Sequence, residues 1–258
     1  MIGIFDSGIG GLTVARAIEN LMPDLSILYF GDTAKTPYGT KSADVIIDYS
    51  LRNCEFLLSK GAKILVVGCN SASSVATETM RKEFKVPVVE VIGPAAKRAV
   101  SLSKSGRIGI IGTRATVGSG VYEQQIEIMD PSCRVFSVPC PLLVPLVEET
   151  WTANRETKMI LRRYLHPLRQ QQVDTLILGC THYPLLKELI QARMGRKVKL
   201  IDSSVEVALS LRQLLSRTHT GTYCQQPAQH AFYLSDITAN AQKIATRLFG
   251  RPLEFLSP

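Results

Sequence analysis

Short apolar runs alternate with longer stretches of helical period along almost the whole chain. Aliphatic-rich runs fall at 2–5, 25–30, 63–67, 86–91, 108–111, 134–138, 174–178 and 198–201. Each is short and bounded by glycine, proline or polar residues, which predicts a buried strand. Between them, segments 13–21, 43–60 and 73–84 repeat apolar positions every three or four residues. Segments 122–129, 154–171 and 184–194 do the same in the second half. These predict amphipathic helices, with another in the segment holding Lys97 and Arg98. Past residue 202 the pattern predicts a helix at 205–217, a polar turn-rich stretch at 218–229, a strand at 231–234, a helix at 238–249 and a short strand at 253–256. Strands alternating with helices imply parallel sheets covered on both faces, with right-handed crossovers. Every strand of such a sheet ends at one edge, and ligands bind there.

The pattern also occurs twice. Ile2-Gly3-Ile4-Phe5-Asp6-Ser7 matches Ile108-Gly109-Ile110-Ile111-Gly112-Thr113, and 26–30 can be laid on 134–138. Ile64-Leu65-Val66-Val67-Gly68-Cys69-Asn70-Ser71 matches Leu176-Ile177-Leu178-Gly179-Cys180-Thr181-His182, and 85–90 falls on 197–202. The offsets are 106, 108, 111 and 112, so spacing carries the match even where identity is weak. So long a period excludes a solenoid. The expected fold is α/β: two pseudo-symmetric parallel-sheet domains with the active site between them. Residues 1–95 with 207–258 form the first domain and 96–206 the second, the change falling near Ile92-Gly93-Pro94.

The duplication places Cys69 and Cys180 just past equivalent strand ends. A single cysteine beside an apolar strand is usually inert packing; two at matched positions on a ligand-binding edge are a pair of candidate acid/base groups. Zinc is not favoured, since Cys180 and His182 supply only two of about four ligands and there is no Cys-x-x-Cys pair. A Cys–His nucleophile would leave Cys69 without a role. In Asp6-Ser7-Gly8-Ile9-Gly10-Gly11-Leu12, closely spaced glycines let backbone approach a ligand. The segment is not a dinucleotide fingerprint, because Thr13 stands where the third glycine is needed, nor is it a P-loop. Asp6 would repel phosphate, so an ammonium or hydroxyl partner suits it better.

Composition narrows the class. The 258 residues are 45% hydrophobic and 20% charged, ordinary for a globular protein of one or two domains. No apolar stretch is long enough to span a bilayer, and no secretory leader is evident. The six cysteines, Cys54, Cys69, Cys133, Cys140, Cys180 and Cys224, are scattered and read as reduced, so the expected location is the cytoplasm. Of the net charge of +8, residues 96–206 supply +6, including Lys97, Arg98, Arg162 and Arg163. Such a field attracts small anions. A nucleic-acid partner is not expected, because aromatics do not interleave with the charges. A homodimer is compatible with the sequence, which does not determine an oligomeric state.

Asp6-Ser7-Gly8-Ile9-Gly10-Gly11-Leu12, Pro37-Tyr38-Gly39, Cys69-Asn70-Ser71-Ala72-Ser73 and Cys180-Thr181-His182-Tyr183-Pro184-Leu185-Leu186 stand in the order and spacing of one family. Together they resemble the glutamate racemases over essentially the whole chain. The resemblance implies cofactor-independent interconversion of L- and D-glutamate, supplying D-glutamate for bacterial peptidoglycan. It also implies a C-terminal segment that rejoins the first domain. Cys69 and Cys180 match the family's two acid/base thiols. Asp6, Ser7, Pro37, Tyr38, Gly39, Asn70, Ser71, Thr181 and His182 match its substrate contacts, and Thr113, which the duplication lays on Ser7, joins them. Glu148 matches a carboxylate that assists on the Cys180 side, with His182. No metal is implied. Gly68 and Ser71 depart from the family's usual alanine and threonine; Ser71 keeps the hydroxyl but lacks the methyl. Lys35-Thr36 also differs from the arginine–hydrophobic pair common before the proline. Two rival readings are a racemase of the same superfamily acting on aspartate or a related acid, and a basic nucleic-acid-binding protein whose DNA affinity would survive loss of both cysteines.

Overall fold

The computed structural model describes residues 1–217 and 228–258. Cys224 and most of the stretch expected to be turn-rich at 218–229 lie outside the described residues. The chain builds, in order, β1 (Ile2–Asp6), α1 (Leu12–Leu21), β2 (Ile27–Gly31), α2 (Ala43–Ser59), β3 (Ile64–Val67), α3 (Asn70–Glu83), β4 (Val88–Glu90) and α4 (Ile92–Leu102). It continues with β5 (Arg107–Gly112), α5 (Arg114–Gly118), α6 (Val121–Met129), β6 (Arg134–Pro139), α7 (Leu143–Glu148), α8 (Arg155–Gln170), β7 (Thr175–Gly179), α9 (Lys187–Met194) and β8 (Lys199–Asp202). Then come α10 (Ser203–Arg217), β9 (Ala231–Leu234), α11 (Ala239–Phe249) and β10 (Phe255–Leu256).

The strands form two sheets, a six-stranded one in the order β10-β9-β2-β1-β3-β4 and a four-stranded one in the order β6-β5-β7-β8. Every pairing is parallel. The order β2-β1-β3-β4 is repeated as β6-β5-β7-β8, and these are the four strand pairs that the internal match aligns. The α/β expectation with two parallel sheets therefore holds. Residues of β1, β3 and β7 are buried throughout, as helices on both faces require.

One apolar core crosses from sheet to sheet. Ile4 and Val66 of the first sheet join Ile110 and Ile177 of the second through Ala95, Ala96 and Ala99 of α4 and Val207, Ala208 and Leu211 of α10. The small side chains of α4 let the two sheets share that layer. The unduplicated C-terminal block extends the six-stranded sheet through β9 and β10, and Phe232 of β9 packs between Tyr29 and Phe249, with ring centroids 6.2 and 5.6 Å away.

Several boundaries differ from the sequence expectation. The helix expected from residue 73 begins at Asn70, because the Cys69 sulfur takes the Ala72 N–H at its N-terminus and the polar first turn hides the apolar period. Ile92-Gly93-Pro94, expected just before the helix that holds Lys97 and Arg98, is the first turn of that helix, α4. There the Glu90 carboxylate accepts the N–H groups of Ile92 and Gly93 at 2.5 and 2.8 Å, and a proline costs nothing where N–H groups have no helical partner. The segment at 184–194 opens as a 3₁₀ turn (Tyr183–Leu186) before α9. The last strand is only Phe255–Leu256 rather than 253–256. Helices α5 and α7, of five and six residues, were too short for periodicity to reveal. None of the described helices is long and apolar enough to cross a membrane.

Phe232→Ala should lower stability by about 3–5 kcal/mol, the usual cost of emptying a buried aromatic site. Chemical denaturation should show this as a reduced midpoint.

Candidate active site

The site forms where the C-terminal edges of the two sheets face each other. Asp6 ends β1, Cys69 follows β3, Thr113 follows β5 and Cys180 follows β7. Ser7, Thr36, Pro37, Tyr38, Gly39, Cys69, Asn70, Ser71, Thr113, Cys180, Thr181 and His182, with Val144, surround one cavity of about 20 Å³. That is room for one water, so the two halves are closed on each other. Larger cavities, of about 500 and 380 Å³, lie between α4 and α10 and beside the α11 N-terminus. Neither contains a thiol, and we identify the site by its reactive groups rather than by its size.

The halves approach so closely because glycines line the contact. A Cβ on Gly10 would collide with the His182 ring and Thr181, and one on Gly39 would collide with Thr113. Thr13 reinforces this contact. Its hydroxyl donates to the Gly10 carbonyl at 2.9 Å or the Thr181 carbonyl at 3.1 Å and lies 2.8 Å from Ser204 Oγ. The first turn of α1 is thereby tied to the loop that carries Cys180.

The two thiols have different surroundings. Cys69 is buried, its sulfur 3.5 Å from Ser7 Oγ and 3.5 Å from the Ala72 N–H. Burial, and then the Asp6 carboxylate, push this thiol up to about 12, against which Ser7 and Ala72 pull only weakly. Asp6 is itself fully buried, and desolvation raises its carboxyl above the ordinary range. His182, the N–H groups of Gly11 and Gly8 and the Thr181 hydroxyl oppose that rise. Gly8 N–H donates to Asp6 Oδ2 at 3.0 Å and Thr181 Oγ1 to Oδ1 at 3.3 Å.

On the other side, Cys180 Sγ lies 3.8 Å from His182 Nδ1, and His182 Nε2 lies 3.1 Å from Glu148 Oε1. Burial by itself would strip the proton from His182, but hydrogen bonds and charge from Cys180 and Glu148 outweigh it and lift the imidazole to about 10. A buried imidazolium therefore stands between a sulfur and a half-exposed carboxylate.

The remaining residues divide by which atoms stay free. Ser71 Oγ is 2.9 Å from Thr113 Oγ1, which is 3.0 Å from Thr116 Oγ1. The Tyr38 hydroxyl donates to Asp32 at 2.6 Å and accepts from the Asn53 amide at 3.0 Å, so it is already engaged. The Asn70 amide is held by the Tyr122 hydroxyl at 2.8 Å and reaches Ser203 at 3.4 Å. Every residue expected at the site is thus brought to this edge or, for Glu148, to the far side of His182. Sequence reasoning missed Thr13, Thr36, Thr116, Tyr122, Val144 and Ser203. Most of them hydrogen-bond or pack across the two halves, and no local pattern signals such a contact. Among the described residues no group of three or more metal-ligating side chains occurs.

Residues 12–211 match the family model described as Asp/Glu/Hydantoin racemase. A glutamate racemase of Geobacter metallireducens is 44% identical over 252 residues, which is 98% of this chain and 93% of the relative. The crystal structure of a glutamate racemase isoform from Bacillus anthracis superposes with a TM-score of 0.95 at 35% identity, covering 100% of this chain and 97% of that one. The glutamate racemase of Francisella tularensis, solved in complex with D-glutamate, superposes with a TM-score of 0.90 at 32% identity over 100% and 95% of the two chains.

A titration of the ring carbons by NMR should find His182 protonated well above the ordinary 6.5, with a midpoint near 10 that falls in Glu148→Gln. Because the folded value is raised, the stabilisation is complete below about pH 6.5 and disappears as pH climbs through about 10. The wild-type advantage over Glu148→Gln in denaturation should follow that window.

Proposed function

We propose, from the premise that the chain belongs to the Asp/Glu/hydantoin racemase family, that Cys69 and Cys180 exchange the α-proton of glutamate from opposite faces. Glutamate racemisation is the activity of this chain. It makes D-glutamate, the form that peptidoglycan synthesis uses. The observation that carries the two-thiol reading is that Cys69 and Cys180, from equivalent strand ends of two sheets, line one cavity.

In the resting state the raised Cys69 holds its proton, while Cys180 has the imidazolium of His182 beside it. We assign Cys69 as the acid and Cys180 as the base toward the first enantiomer. The Cys180 sulfur takes the α-proton from one face, and the electron pair left on the α-carbon delocalises into the α-carboxylate. Cys69 delivers its proton to the other face and becomes the thiolate. The opposite enantiomer reverses both transfers. Negative charge developing at the carboxylate is met by the N-terminus of α3, where Asn70 and Ser71 stand, and by Thr181. Asp6 and Ser7 suit the substrate ammonium. A neighbouring ammonium offsets what Asp6 does to Cys69, so substrate binding itself prepares that thiol for its turn as base.

The closed cavity is too small for an amino acid, so we infer that the halves part to admit glutamate. The hinges are α4 and α10, which connect the sheets and carry the Arg98–Glu206 pair at 3.7 Å. The domain limits of 1–95 with 207–258, and 96–206, fall within these two helices. Closure then removes water, which strengthens every charge interaction inside.

Circular dichroism of either glutamate enantiomer mixed with purified protein, without added cofactor, should decay to zero. Cys69→Ala and Cys180→Ala should each slow this by about 10³-fold or more with unchanged folded spectra. In deuterated water the early product should carry α-deuterium while the recovered substrate carries little. Equal early labelling of both enantiomers would point instead to a single exchanging base.

A further inference from the structure

We propose that the side-chain hydroxyl of Thr36 binds the substrate directly, accepting a hydrogen bond from its ammonium group. The inference rests on the racemase reading above and adds a group that the family motifs do not include. Among the described residues, only two buried side-chain polar atoms lack a hydrogen-bond partner, and one is Thr36 Oγ1. A buried hydroxyl left unpaired is destabilising, and native structures seldom keep one without a use.

Its position supplies the use. Thr36 stands between the cavity that holds both thiols and the larger one beside the α11 N-terminus, which it lines together with Glu148. The other hydroxyls there are engaged: Ser7 with Cys69, Ser71 and Thr113 with each other, Thr181 with Asp6, and Tyr38 with Asp32. Thr36 is the one hydroxyl of the described cavity wall that the protein leaves unoccupied.

The surroundings select the substrate group. A Cβ placed on Gly8 would lie 3.1 Å from Thr36 Oγ1 and 3.7 Å from Glu148 Oε1, so the hydroxyl and this carboxylate border the same spot beside the Asp6-Ser7-Gly8 turn. Residue 37 is proline and contributes no N–H donor there. A substrate carboxylate at that spot would face Glu148 Oε1, which also takes His182 Nε2 at 3.1 Å, whereas an ammonium is attracted to that oxygen. The α3 N-terminus is left for the carboxylates.

The test is steady-state kinetics and melting of Thr36→Val, which keeps the shape and removes the hydroxyl, beside Thr36→Ser, which keeps the hydroxyl. Thr36→Val should raise KM for both glutamate enantiomers about tenfold, the loss of one hydrogen bond to a charged group, with kcat little changed. The ligand-free variant should melt no lower than wild type. Thr36→Ser should keep a near-wild-type KM. Glutarate, which lacks the amino group, should inhibit wild type and Thr36→Val equally. An unchanged KM in Thr36→Val overturns the proposal, as does equal weakening of glutarate, which would put the hydroxyl on a carboxylate. A lower melting temperature with unchanged KM would make Thr36 a packing residue only. Absence of racemisation in wild type, by contrast, would overturn the underlying reading rather than the role of Thr36.

Discussion

The two halves meet at a pair of missing side chains. At Gly10 and Gly39 the first sheet's loops press against His182, Thr181 and Thr113 so tightly that no Cβ would fit. Everything else about the site follows from that approach. It brings two strand-end thiols to one cavity, lets the Thr13 hydroxyl reach the Thr181 carbonyl, and expels water from groups that would otherwise be solvated.

Exclusion of water sets the electrostatics, and the fold's symmetry does not extend to them. Around Cys69 stand a carboxylate, a hydroxyl and a helix N-terminus, and burial dominates, so the proton stays on sulfur. Around Cys180 stand an imidazolium and, behind it, a carboxylate that reaches solvent. On the two-thiol reading proposed above, acid and base trade roles between the two enantiomers, so the surroundings of the two sulfurs need not be alike. Here a duplicated backbone supplies the geometry, and unduplicated side chains, Asp6 on one side and His182 with Glu148 on the other, supply the bias.

The shared core is where the two closed halves join. Helices α4 and α10 carry small and branched side chains in the core cluster that joins both sheets, which makes this layer the hinge in the opening proposed above. The C-terminal block has a supporting task. Ser235, just past β9, reaches Asp32 at 3.1 Å, and Asp32 in turn holds the Tyr38 hydroxyl. The loop that carries Thr36 to Gly39 is therefore anchored from the far end of the chain.

Much of this was legible in the chain itself. Strand runs, their C-terminal edges and the internal repeat are encoded by neighbours a few residues apart, and the matched offsets of Cys69 and Cys180 made them a pair before any fold was known. The resemblance extended that set to Asp6, Glu148 and His182. What stayed hidden depends on residues far apart in sequence: Tyr122 holding Asn70, Thr13 bridging to Ser204, Ser235 reaching Asp32. The unpaired state of Thr36 was equally invisible, because a threonine reads the same whether or not its hydroxyl finds a partner. Local periodicity determined which segments are strands and where reactive groups could stand. Only the packing of one sheet edge on the other decided which of those groups are desolvated, which are already occupied, and which remain for a substrate, because burial and pairing belong to the assembled chain and not to any stretch of it.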